Sequence, residues 1–555
     1  MRRSRSGVTQ WLGGHPRRPA TLLFLLFLLI HLPMRSAYLV NWDSVNFALG
    51  LDEFDLAHHQ PHPPGYIGYI VLGRLLRTIT GDANSALTLL STIAGAAAPA
   101  ALYLLCRRLM KPASALTVAI LFGTSPVVWY YSEVGLTYIV EATGAILLAG
   151  ACFEARSRGS ARHLFIAAVL LAGLGAIRQT TTVLLLPICV FAAWNFPRRT
   201  KLAATAIAMG TAAVWLVPLI YMAGGPSEYL ALSRQLAGLT GGRTWIGAIN
   251  GTGMIQNFGY VALGWVLGLG LAFLIFPVAL LYRRPEWNKD ASSLLAWWCV
   301  VPTVVFLLVH TGQLGYVLLV LPAGYVAAGR RIDQITGGER TPVGVRHRYV
   351  AATASAVAIN VVIFFALPPT SLALVRSQPD QPGASTTEAD VRPREIVALA
   401  VRQLDIPAND RHWDGVIDLI ERFDPEQAIV LAEPLNRGSF RHIAYYLPDF
   451  VTYGIGYDRA GGYGVLFTAH DGTTDYSIDG LDSSEPSILI PSGVDVVIIP
   501  DRPIRKLLES QLAITEVRLA GGDYVGVARV DPNTELVLNR EELVLNRGRS
   551  MPRPR

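Results

Sequence analysis

Residues 20–66 read ATLLFLLFLLIHLPMRSAYLVNWDSVNFALGLDEFDLAHHQPHPPGY. The stretch opens as an apolar run and then turns rich in aromatic, acidic and histidine side chains. A helix that crosses a bilayer needs about 20 mostly apolar residues, and 20–39 supplies them. Arg2, Arg3, Arg5, Arg17 and Arg18 precede the run, as they would in a signal peptide. No small-residue cleavage site follows Leu32-Pro33-Met34-Arg35, so the run reads as a retained anchor. Asp43 then falls at the depth of the membrane interface, with Tyr38 and Trp42 beside it as interfacial aromatics.

The same template predicts eleven spans along the chain: 20–39, 84–106, 113–131, 134–152, 164–178, 180–196, 202–222, 258–281, 291–310, 314–329 and 348–367. Of the 555 residues, 52% are hydrophobic and 16% charged, against roughly 25% charged in soluble domains. Residues 1–369 hold 28 Lys and Arg against 13 Asp and Glu, and residues 370–555 hold 19 against 28. The overall charge of +6 describes neither part. Basic residues come in short clusters between apolar runs, the pattern of membrane topology and not of a nucleic-acid-binding face. Beyond the N-terminal arginines these are Arg107, Arg108 and Lys111; Arg156, Arg158 and Arg162; Arg198, Arg199 and Lys201; Arg283, Arg284 and Lys289; and Arg330, Arg331, Arg340, Arg346 and Arg348. They fall in alternate loops and account for 22 of the 28, so those loops read as cytoplasmic. The other loops hold only Arg74, Arg77, Arg234 and Arg243, with Arg35 and Arg178 at helix ends. An odd number of spans then places the chain beyond residue 370 outside the cytoplasm. Cys106, Cys152, Cys189 and Cys299 all sit in or beside apolar runs, so they read as packing residues and not as a disulfide framework.

At Ser377-Gln378-Pro379-Asp380-Gln381-Pro382-Gly383 the composition becomes that of a linker. Beyond it, amphipathic segments alternate with β-rich runs at 428–432, 451–455, 488–490, 494–499 and 524–530, which predicts a small α/β domain with a partly parallel sheet. Glu-Leu-Val-Leu-Asn-Arg occurs twice, at 535–540 and 542–547, a local duplication. The expected organisation is a cytoplasmic tail 1–19, a mainly α, polytopic membrane bundle 20–369, a linker 370–385, an extracytoplasmic α/β domain 386–535 and a basic tail 536–555.

Several polar residues gather in the loops expected outside. An acidic group held at the interface is costly without a partner or a task, which sets Asp43 apart from the solvated Asp52 and Glu53. His58, His59 and His62 lack the carboxylate or cysteine spacing of a dedicated zinc site. Pro61-His62-Pro63-Pro64-Gly65 is first a rigid turn, so turn plus substrate contact is favoured for these histidines. Glu133 is the lone charge in Trp129-Tyr130-Tyr131-Ser132-Glu133-Val134, against the bland reading of a helix-end carboxylate facing water. Glu141 lies two turns deeper, as a hydrogen-bonding group or a functional one. Arg178 at a helix end could hold a phosphate with two parallel hydrogen bonds, or only snorkel.

Asp43 after the first span, the histidine-rich loop, and His62-Pro63-Pro64-Gly65-Tyr66 together resemble the GT-C membrane glycosyltransferases. The nearest likeness is to bacterial relatives of protein O-mannosyltransferases and of aminoarabinose transferases. The resemblance implies that Asp43 is the catalytic base or a metal ligand, and it leaves metal use open, since some members require Mg²⁺ or Mn²⁺ and others do without it. Many members have paired acidic residues where this chain has Asp43-Ser44, so the second carboxylate, catalytic or metal-ligating, is sought at Glu133. His58, His59, His62, Tyr66, Arg178, His310, Gln313 and Tyr316 are the expected substrate contacts. The implied function is inverting transfer of a sugar from a polyprenyl-phosphate donor to an acceptor hydroxyl. It would occur at the extracytoplasmic face of the inner membrane, with a protein, lipid or glycan as acceptor. A secondary transporter, or a silent subunit that binds lipid-linked sugar, are the alternatives. Such transporters carry an internal repeat, and none is evident in this sequence.

Overall fold

A computed structural model describes residues 15–241, 252–270, 289–309, 311–336, 343–366, 405–434, 439–457, 463–470, 473–475 and 485–538. The first long apolar run forms α1 (Arg17–His31), and a 3-10 turn over Leu32–Met34 with Pro33 at its start ends it. Two helices follow in the loop: α2 (Trp42–Asp52) and the amphipathic α3 (Ile67–Thr80). Next come α4 (Ala83–Cys106), α5 (Pro112–Gly123), α6 (Pro126–Glu133), α7 (Tyr138–Arg158), α8 (Ala161–Ile177), α9 (Gln179–Ala193) and α10 (Arg198–Met222). Then α11 (Pro226–Gly241), α12 (Thr252–Leu269), α13 (Lys289–Leu308), a 3-10 helix over Leu314–Leu319, α14 (Leu321–Thr336) and α15 (Val343–Ala366) are the further bundle elements among the described residues.

Helices α4 and α7 are enclosed by their neighbours, whereas α1, α10 and α15 turn Leu22, Leu29, Val214, Val217 and Val362 outward. An apolar outer surface of this kind suits lipid and not water. Each of the eleven expected runs is helical over at least part of its length, but eleven crossings are not established. Among the described residues, six helices are long and apolar enough to cross. The expected span 113–131 is two helices, α5 and α6, bent by 58° at Thr124–Ser125, and together they make a seventh. Runs 161–177, 179–193 and 257–269 are apolar but shorter.

The basic loops meet at one end of the bundle. Arg108 and Arg158 both reach Glu154 at 2.8 Å, Arg156 reaches Asp290 at 2.9 Å, and Asp333 accepts from Ser114 Oγ at 2.9 Å. The far end of α4, about 36 Å away at 1.5 Å per residue, meets the acidic loop, where Asn84 Nδ2 donates to Ser36 O at 2.9 Å.

The C-terminal part holds α16 (Ile406–Ile420), β1 (Ala428–Ala432), α17 (Phe440–Tyr446), β2 (Val451–Tyr457), β3 (Tyr463–His470), β4 (Thr473–Asp475), β5 (Ser487–Leu489), β6 (Val496–Ile499), α18 (Arg502–Leu508), β7 (Thr515–Arg518), β8 (Tyr524–Arg529) and β9 (Glu535–Val537). Among the described residues, seven strands form one sheet in the order β4-β3-β2-β1-β6-β8-β7, parallel only across β2-β1-β6. Strand β1 is buried on both faces: Val430 packs toward Trp413, Val416 and Phe440, while Ile429 and Leu431 pack toward Ile504 and Leu508. That is the period-2 alternation of a central strand covered on both sides. Strands β5 and β9 form a separate antiparallel pair. Helices α16 and α17 rest on residues 36–59, so this domain sits at the same end of the bundle as Asp43.

Candidate active site

Asp43 occupies the first turn of α2. Asn41 caps that helix reciprocally: its side chain accepts from Ser44 N at 3.1 Å, and its own N–H donates to Ser44 Oγ at 3.1 Å. The capping box fixes where the helix starts, and the unpaired N–H groups of a first turn favour a carboxylate there. The Asp43 side chain is 31% exposed. Gln313 Nε2 donates to its Oδ2 at 3.3 Å, and Gln313 Oε1 accepts from Asn41 Nδ2 at 3.3 Å. One amide thus ties cap and carboxylate together.

The histidine-proline turn supplies the next wall. Residues 63–66 carry Gly65 at φ +120° and Tyr66 at φ +43°, and a Cβ on Gly65 would come within 2.5 Å of the Leu219 side chain. Only glycine fits there. The turn is held from outside by Gln179 Nε2 and Tyr229 OH, which donate to Pro64 O at 3.1 and 3.3 Å. Within it, His62 Nε2 lies 3.0 Å from Tyr66 OH and 3.9 Å from Asp43 Oδ1. Phe47 packs against both rings. Burial holds the His62 imidazole below its ordinary pKa, with Asp43 opposing that shift and Arg178 adding to it.

Arg178 lies between α8 and α9, in extended backbone. Its guanidinium stands 4.3 Å from the ring centre of Tyr316 and 5.2 Å from that of Tyr138, and Nη1 is 3.5 Å from Glu141 Oε1. Its side chain is 12% exposed. Thr137 donates to Glu141 Oε1 at 2.7 Å, and Thr181 donates to Oε2. A cavity lined by Tyr138, Glu141, Arg178, Thr181, Phe306 and Tyr316 opens here.

The 3-10 helix that follows Gln313 joins the two halves. Its N-cap, Gln313, bonds Asp43, and three residues on Tyr316 covers Arg178. Three residues of 3-10 helix rise about 6 Å. Gly315 N donates to Tyr131 OH at 2.8 Å, and a Cβ on Gly315 would come within 2.5 Å of Tyr138. The turn is pressed onto the aromatic wall and needs glycine to sit there.

The structure therefore brings Asp43, His62, Tyr66, Arg178, Gln313 and Tyr316 into one region together with Glu141, and it adds Asn41, Tyr138 and Thr181. Tyr138 precedes Glu141 by one helical turn, and Thr181 follows Arg178 by three residues. That spacing is the signal by which both could have been found. His58 pairs with Asp55 at 2.6 Å on the outer side of the loop. His59 is buried, and its carbonyl accepts from Arg441 at 3.4 Å. His310 lies outside the described residues. Glu133 is not brought to Asp43. It is the last residue of α6, 1% exposed, and its Oε1 lies 3.1 Å from His31 Nδ1 on α1. The expected external turn is the enclosed end of a bent helix, where Trp129 meets His31 edge-on and stacks on Phe364. The second carboxylate beside this site is Glu141. Among the described residues, no group of three or more His, Cys, Asp or Glu gathers. Mg²⁺ needs only one or two protein carboxylates beside waters and a substrate phosphate, and Asp43, 31% exposed, is the carboxylate that would take that place. The fixed positive charge of the site is Arg178.

Residues 62–222 match the family described as Dolichyl-phosphate-mannose-protein mannosyltransferase. The whole fold is similar to that of ArnT from Cupriavidus metallidurans, solved bound to undecaprenyl phosphate: 13% identity, TM-score 0.55, covering 92% of this chain and 97% of that one. The apo state of ArnT matches at 13% identity and TM-score 0.53, over 94% and 98%. No curated protein matches the chain by sequence.

Proposed function

From a chain that has the fold of the GT-C membrane glycosyltransferases, with a mannosyltransferase-like segment over 62–222 that carries His62, Tyr66 and Arg178, we infer a specific reaction. It is the transfer of a sugar from a polyprenyl-phosphate donor to an acceptor hydroxyl, with inversion, at the extracytoplasmic face of the inner membrane. The supporting observation is the 313–316 turn, which sets a part-exposed carboxylate and a buried guanidinium at the two ends of one short element. Asp43 accepts the proton of the acceptor hydroxyl. The freed oxygen attacks the anomeric carbon from the face opposite the phosphate, and the bond from that carbon to the phosphate oxygen breaks. The lipid phosphate leaves with the bonding pair, and Arg178 stabilises its charge. Glu141, braced by two threonines, holds the guanidinium in place while the fork keeps further donors for phosphate.

The Lys and Arg bias of the loops supports the assignment of faces, since the basic clusters gather at the end of the bundle away from Asp43. The reading is tested in cells that lack the protein and are complemented with wild type or Asp43→Asn. Mass spectrometry of their glycoconjugates should show a sugar that wild type restores. The variant should restore it about 10²–10⁴-fold less, the usual scale of a general base. Identical glycoconjugates in deleted and complemented cells would count against any transfer activity.

A further inference from the structure

The soluble domain grips the segment that carries Asp43 on both sides of it. Before α2, Asp410 of α16 accepts from Ser36 Oγ at 2.8 Å, Ala37 N at 3.0 Å and Tyr38 N at 3.2 Å. Tyr38 OH donates to Asp414 at 3.0 Å, Leu39 N donates to Tyr446 OH at 2.8 Å, and His442 Nε2 lies 3.2 Å from Leu39 O. Beyond Asp43 the grip is Arg441 of α17, whose side chain is fully buried. Its Nε donates to Asn46 Oδ1 at 3.0 Å, and Nη2 donates to His58 O at 2.6 Å and His59 O at 3.4 Å. Asn46 stands one helical turn after Asp43, and His58 and His59 lead directly into His62.

A buried guanidinium carries a desolvation cost of several kcal/mol unless good acceptors meet it. A domain that only needed internal strength would supply those acceptors itself. Arg505 shows that case: it donates to Ile499 O, Pro500 O and Tyr524 O and pairs with Glu516, all within the domain. Arg441 instead reaches out of its domain into the loop. Its planar fork holds one acceptor on the helix of Asp43 and two on the strand of chain that places His62.

We propose that Arg441 is a positioning residue of the transferase. It locks α2 to the 58–62 turn, so that Asp43 meets the acceptor at a fixed angle and distance. The soluble domain is thereby part of the active site's scaffold. This inference rests on Asp43 as the base. A misplacement on the order of 1 Å costs about 10²-fold in rate, so the effect falls on turnover and leaves donor binding at Arg178 alone.

The test uses the full chain in lipid nanodiscs and in complemented cells, with Arg441→Gln, Arg441→Lys and Arg505→Gln. Arg441→Gln should speed amide exchange across 42–52 at least about tenfold, because opening there reports local stability. It should lower product per folded molecule about 10²-fold while binding undecaprenyl phosphate like wild type. Arg441→Lys should recover part of the product, since one ammonium meets one acceptor but not the whole fork. Arg505→Gln should lower the melting temperature and leave both the exchange across 42–52 and the product per folded molecule unchanged. Wild-type exchange across 42–52 in Arg441→Gln, or an equal product loss in Arg505→Gln, would overturn the proposal. Full product from Asp43→Asn would remove the base itself, a result read independently of the exchange data.

Discussion

His442 and His59 show how single residues tie this fold to pH. Both are buried where the soluble domain meets the loop. His442 stacks on Trp413 with ring centres 4.0 Å apart and planes within 8°. Burial pushes each imidazole down to about 3, aided at His59 by His62, Arg441 and His58 and opposed at His442 by its bond to Leu39 O. Between about 3 and the ordinary 6.5, the unfolded chain therefore binds more protons than the folded one. Stability rises with pH across that window. The contribution is complete above 6.5 and is lost as pH falls toward 3. The melting temperature of the intact protein should drop between pH 6.5 and pH 4, and His442→Gln should flatten part of that slope. A melting temperature that held steady or rose on acidification would contradict it. Among the expected positions, Asp43 is held locally by its cap and Tyr66 by the proline turn, whereas Arg178, Gln313 and Tyr316 meet their partners only through segments distant in sequence. Glu133 was misplaced because its surroundings come from α1 and α15, 100 or more positions away in one case and over 200 in the other.

Elements were legible where one periodicity ran unbroken. The long apolar helices, β1, β6 and β8 follow directly from their patterns. Helices α2 and α3 did not: they lie in a loop whose prolines and histidines hide an amphipathic 14-residue helix. Strand β3 was missed as well, its start marked by glycines at 461, 462 and 464 that read as turn. The β5–β9 pair supplies a test of how side chains choose a slot. Leu536 and Leu538 are buried there, Ser487 Oγ donates to Glu535 at 2.7 Å, and Gln511 brackets the backbone of Val537. The same six residues recur at 542–547, so deleting 535–541 leaves Thr534 followed by an identical Glu-Leu-Val-Leu. That variant should melt within about 1 °C of wild type, since no contact in the slot changes and untouched sites alter stability by under about 0.5 kcal/mol. Deleting 535–555 should destabilise the domain, because two buried leucines are worth about 3–6 kcal/mol. A large loss from the seven-residue deletion would show that the slot reads more than these side chains.

At the scale of the whole molecule, the bundle turns an apolar surface outward, the 313–316 turn joins carboxylate to guanidinium, and the soluble domain contacts the loop that carries Asp43. None of these relations is local in sequence: Asp43 meets Gln313 across 270 positions, and Asn46 meets Arg441 across 395. That is why residue types and helices could be read from the chain while their assembly could not. The most direct test is a cryo-EM map of the full chain with undecaprenyl phosphate in lipid nanodiscs. The account predicts phosphate density bonded to Arg178 between Tyr138 and Tyr316, with the Asp43 carboxylate facing it across a gap the width of one sugar ring. Phosphate density at the opposite, basic end of the bundle, or an Asp43 side chain walled off from the phosphate, would contradict it.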